Sequence, residues 1–108
     1  MLGNVNLGEL IEWLEKQDQD LIVKDGFGKP HCDRGYYENL SFDPLPESKI
    51  SEMLNYAKSA VNQTFGGYHG GEYKMTLFTP VGIGYDYESG DNITPVYFKY
   101  WLLTGRKD

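Results

Sequence analysis

Between Ile50 and Val61 the apolar residues fall at Ile50, Met53, Leu54, Ala57, Ala60 and Val61. Steps of three and four place them on one face of an α-helix. A helix striped in this way is stable only when the stripe is buried against another element. The spacing predicts a helix over 48–64, opened by Ser48 and stopped by Gly66-Gly67. A second stripe, Leu7, Leu10, Ile11 and Leu14, predicts a helix over 7–17. Asn6 and Glu9 stand three apart at its start, the spacing of a capping box. Trp13 falls off the centre of that stripe and belongs at the edge of the core.

The rest of the chain reads as strands and loops. Leu21 to Lys24 is a short β-type run closed by the turn signal Asp25-Gly26. Tyr36 to Phe42 alternates and is ended by Asp43-Pro44. Tyr73 to Phe78 is a short strand, and Val81 to Tyr87 is a strand with one bare, glycine-lined face. Pro95 to Leu103 is apolar on both faces, which suits a central strand. Short connections favour antiparallel pairing. The expected fold is a single α+β domain over 1–108: an antiparallel sheet of four or five strands, with two amphipathic helices on one face. The tail Gly105-Arg106-Lys107-Asp108 is expected to fray.

Composition narrows the function. The formal charge of −6 opposes binding to a nucleic-acid polymer. The single cysteine, Cys32, allows no internal disulfide and fits a reducing cytoplasm. No leader opens the sequence and no apolar run approaches membrane-spanning length, so no membrane partner is expected. Nine tyrosines and 13 glycines suit β-structure and exposed binding surfaces. That many aromatics on one small domain also predicts a homodimer or larger assembly.

The segment from Gly26 to Tyr37 holds three glycines, a proline, Lys29, His31, Arg34, Tyr36 and Tyr37. It is longer than a reversal of direction needs and reads as a recognition loop. Lys29, His31 and Arg34 concentrate positive charge in an acidic chain and would hold an anion. Tyr36 or Tyr37 would stack on a base. The alternative is that Arg34 pairs with a nearby acid and the tyrosines fill the core edge. Tyr68, His69 and Tyr73 flank the paired glycines 66–67 and 70–71 and form a second ligand-binding candidate, against a plain helix terminator and loop. No metal site is expected from His31, Cys32, His69 and Glu72, because no CxxC or HxxxH spacing exists. No cofactor is implied. Cys32 lacks the neighbouring motifs of cysteine hydrolases, so no catalytic residue is assigned and the chain is expected not to be an enzyme.

The block Gly28-x-Pro30-His31-x-x-Arg34-Gly35-Tyr36-Tyr37-x-x-Leu40-x-Phe42-x-Pro44 carries a resemblance. With Thr64-Phe65-x-Gly67-Tyr68-x-Gly70-Gly71-x-Tyr73-x-Met75 and Thr79-Pro80-Val81, it resembles a family of small accessory proteins encoded in phage genomes. The resemblance covers roughly the first three quarters of the chain, and the part after Tyr85 departs from it. It implies a viral anti-defence protein acting in the host bacterial cytoplasm. The expected function is non-catalytic sequestration of a small anionic ligand, such as a nucleotide immune signal. The alternatives are a protein-binding inhibitor that docks its acidic surface on a host defence protein, DNA-mimic-like in the extreme, and a small hydrolase that degrades the signal.

Overall fold

The first helix, α1 (Leu7–Glu15), begins as its sequence requires. Asn6 accepts from the Glu9 backbone N–H at 2.8 Å, and Glu9 accepts from the Asn6 N–H at 3.0 Å. This reciprocal pair satisfies two of the donors that a helix start leaves bare. Leu7, Leu10, Ile11 and Leu14 are buried. A computed structural model describes residues 4–33, 38–66, 71–85 and 90–107 of the chain.

The long strand β1 (Ile22–Cys32) takes up the expected recognition loop from Gly26 through Cys32. Phe27 decides this: it is fully buried against Phe42 and Trp101, with ring centroids 4.2 and 5.9 Å away. β1 pairs antiparallel with β2 (Leu40–Lys49), and the register shifts between Phe27 and Pro30. The irregularity absorbs Gly28 and Pro30 without breaking the ladder. β2 also runs on through Asp43-Pro44, where a stop was expected.

α2 (Ile50–Ser59) follows directly, with Ile50, Met53, Leu54 and Ala57 buried. Ser48 is not its cap. Lys49 takes that position without a side-chain bond, and the Ser48 hydroxyl donates instead to the Phe27 carbonyl at 3.4 Å. The helix ends before the expected glycines, and Asn62 turns left-handed at φ 63° just beyond it. Asparagine tolerates that conformation and so ends a helix as glycine does. Gly66 lies instead in β3 (Thr64–Gly66), which pairs with β4 (Glu72–Lys74).

β5 (Val81–Ile83) pairs parallel with β2, which corrects the all-antiparallel expectation, and antiparallel with β6 (Asp91–Asn92). The four-stranded order is β1-β2-β5-β6. The largest correction concerns residues 95–103, expected as a central strand. They form α3 (Pro95–Thr104). Thr94 caps it by accepting from the Val96 N–H at 3.3 Å, and Pro95 occupies the first turn. Proline there loses no helical hydrogen bond.

The α+β two-layer architecture is the one expected, with a third helix added. α2 and α3 pack on β1, α1 packs on α2, and Trp13 of α1 stacks on Phe98 of α3 at 4.4 Å. The tail is tied down rather than frayed through Lys107. Arg106 exchanges backbone hydrogen bonds with Ile22, its guanidinium pairs with Glu47, and Lys107 pairs with Asp18. Among the described residues, no helix is long and apolar enough to cross a membrane.

Candidate functional site

β5 stays beside β2 only from Leu40 to Phe42. Gly84 donates a last backbone bond to the Phe42 carbonyl at 2.9 Å, and the chain then leaves the sheet. β2 continues as Pro44-Leu45-Pro46, paired with β1 alone. The two prolines carry no N–H, so they present a poor edge for another strand. The divergence opens a cleft of about 570 Å³. Pro44, Leu45 and Pro46 line one side of it, and Ile83, Gly84 and Tyr85 another. Tyr97 and Tyr100 of α3 close it, with Asp25 of β1 and Asp91 of β6.

Asp25 has an uncommon backbone, φ 52°, in the left-handed region that costs most residues energy. Three contacts with α3 hold this stretch. The Trp101 indole N–H donates to the Asp25 carbonyl at 3.0 Å. The Tyr100 hydroxyl donates to the Asp25 carboxylate at 2.6 Å. The Lys24 N–H donates to the Thr104 hydroxyl at 3.2 Å. The Asp25-Gly26 pair, read from sequence as the end of a strand, is therefore a fixed twist inside one.

The charge in the cleft is negative. Among the described residues its lining has two carboxylates and no lysine, arginine or histidine. Both acids act on Tyr97, whose phenol is held above its ordinary value first by burial, then by Asp91 and Asp25. The phenol of Tyr100 is also raised, chiefly because it donates to Asp25. Carboxylates beside tyrosine faces form the environment that attracts a cation, by charge and by the ring quadrupole.

Of the residues singled out from sequence, the described ones, Lys29, His31 and Tyr73, do not line this cleft. Lys29 is exposed and lines a separate open groove of about 450 Å³, with Tyr56, Ser59 and Phe65 among its neighbours. His31 is turned inward. Its Nδ1 lies 2.8 Å from the Cys32 carbonyl, and its Nε2 lies 2.8 Å from the Gly84 carbonyl and 3.1 Å from Asp43 Oδ1. Each of these groups is an acceptor belonging to the protein itself, so both ring nitrogens are engaged within the fold rather than turned toward an anionic ligand. It ties β1 to Gly84, a residue of the cleft wall. Tyr73 is half-buried against the core. Arg34, Tyr36, Tyr37, Tyr68 and His69 lie outside the described residues.

Asp25, Tyr85 and Asp91 are not singled out by the sequence as site residues, and Tyr97 and Tyr100 read there, with Phe98 and Trp101, as an aromatic strand for core and oligomer contact rather than as a stacking platform. The available signal was Thr94-Pro95, a helix-start pair. Reading 95–104 as a helix would have put Tyr97 and Tyr100 on one face, three residues apart. No group of three or more metal-ligating side chains occurs among the described residues. No family model matches the chain, and neither a curated protein nor a solved structure matches it.

Proposed function

We propose that this chain is a non-catalytic binding protein whose acidic, tyrosine-lined cleft receives a positively charged group of a protein partner. The observation that carries this reading is the lining itself: Asp25 and Asp91 beside Tyr85, Tyr97 and Tyr100, with no basic side chain among the described residues that line it. A lysine or arginine there gains charge attraction and a ring face together. The cleft is pre-formed, because α3 fixes Asp25 through both its carbonyl and its carboxylate. A rigid site spends less of its binding energy on ordering itself.

The likeness of the Gly28–Tyr37 block to small phage accessory proteins directs the reading toward a viral anti-defence role. The partner is then a host defence protein in the bacterial cytoplasm, docked through an acidic surface. The rival reading, sequestration of an anionic nucleotide, draws no support from this cleft, where a phosphate would meet two carboxylates. It rests on Arg34 and the tyrosines beside it.

Calorimetry with the purified chain separates these readings. The probes are arginine amide, lysine amide, and a panel of cyclic and linear nucleotides, each at low and high salt. Binding of the two cations, weakened by salt, supports the proposal. A nucleotide that binds and is released intact after denaturation would replace it with sequestration. A nucleotide recovered as a changed product would replace it with an enzyme.

A further inference from the structure

Two surfaces meet at Tyr100. Its ring lines the cleft, and its hydroxyl holds Asp25. The same residue sits in the middle of an open apolar row on α3. Val96, Tyr100 and Leu103 follow at steps of four and three, so they share one face of the helix. Val96 is 54% exposed and Leu103 is 85% exposed. Trp101, the buried residue of α3, lies on the other side. By helical geometry the helix's one cation, Lys99, falls on the flank of the row away from Tyr97. Scattered exposed apolar residues are ordinary, whereas a row continuous with a polar cleft has the make-up of a recognition surface.

We infer that the cleft and the Val96–Tyr100–Leu103 row form one docking surface for a basic, amphipathic segment of a partner protein. Its lysine or arginine side chain enters beside Asp25 and Asp91, and an apolar side chain nearby covers Leu103. This deepens the reading of the cleft as a cation site and rests on it. Charge complementarity selects the occupant. A second copy joined symmetrically across the row would apply the same patch to itself and bring two acidic clefts together. A basic segment brings the opposite charge. One helical turn separates Tyr100 from Leu103, about 5 Å, so the apolar residue lies within three or four positions of the basic one.

The test uses two synthetic probes and one variant. Arginine amide reports the cleft alone. Acetyl-Arg-Ala-Ala-Leu-amide and its reversed-order counterpart report cleft and row together, with serine replacing leucine as the control. In the native protein a leucine peptide should bind about tenfold tighter than its serine control, the factor for partly burying one such side chain. Leu103→Ser, at an exposed position that leaves the core untouched, should erase that gain and leave arginine amide binding unchanged. If the gain survives in Leu103→Ser, or never appears, the joint surface is wrong while the cation site stands. If arginine amide does not bind, the cation site and this inference fall together. A native dimer in analytical ultracentrifugation that Leu103→Ser dissociates would seat a second copy on the row and overturn the inference.

Discussion

The indole N–H of Trp101 donates to the main-chain carbonyl of Asp25 at 3.0 Å, joining the one buried residue of α3 to the left-handed residue of β1. The ring of Trp101 also meets Trp13, Phe27, Tyr97 and Phe98, with centroids 5.6 to 6.0 Å away. Packing and site geometry therefore share a residue. Trp101→Ala should cost about 3–5 kcal/mol of stability, the range for emptying a buried aromatic site. Trp101→Phe should cost less but should still leave the Asp25 carbonyl without its donor. Urea unfolding measures both. A Trp101→Ala loss below about 1 kcal/mol would show that α3 is not part of the core.

The backbone of Asp25 makes a separate prediction. Asp25→Gly and Asp25→Ala both remove the carboxylate that Tyr100 bonds. Only alanine also suffers in the left-handed region. Asp25→Ala should therefore be the less stable variant by about 1 kcal/mol. Equal stabilities would mean that residue 25 is not left-handed in solution.

Tyr97 and Tyr100 should titrate above an ordinary tyrosine. A raised pKa favours the protonated phenol in the folded chain. The associated stability is present below the ordinary tyrosine value and is lost as pH rises through the folded value. Alkaline absorbance titration should show late-ionising phenols, with unfolding at lower urea as they ionise. Asp25→Asn should bring Tyr100 back toward the ordinary range, because its charged acceptor is gone. Unchanged ionisation in that variant would break the assigned link.

Gly82 positions the acid on the far side of the cleft. A Cβ there would come within 2.7 Å of the Asp91 carbonyl oxygen. Gly82→Ala must push β6 away, at a cost of about 1–3 kcal/mol typical of overpacking. It should also weaken binding of arginine amide, since Asp91 moves with its strand. Full affinity in a folded Gly82→Ala variant would show that Asp91 is not a contact.

The legible part of this fold was the part written in periodic stripes. The buried residues of α1 and α2 are among those the spacing picks, and the Asn6–Glu9 box is present as its three-residue spacing predicts. Segments rich in glycine and proline misled, because such residues mark a turn only when nothing larger holds the chain. Phe27 held Gly26, Gly28 and Pro30 in a strand by burying its ring. The run 95–104 is apolar on nearly every side, which gives no period to separate strand from helix. Without that helix the tyrosines of the cleft had no common face. The cleft also depends on β5 leaving β2 after Phe42, a tertiary event that no local pattern records.

On the proposed reading, Asp25 and Asp91 make a cation site with the tyrosines beside them. The Trp101 indole N–H bonds the Asp25 carbonyl and so reports on the site. Its resonance is followed in ¹⁵N spectra while arginine amide is added to the native chain and to an Asp25→Asn, Asp91→Asn double variant. Inorganic phosphate is the opposite-charge control. A saturable shift of the indole resonance with arginine amide, absent in the double variant and absent with phosphate, is the predicted result. A shift that is equal in the double variant, or that appears with phosphate alone, would contradict it.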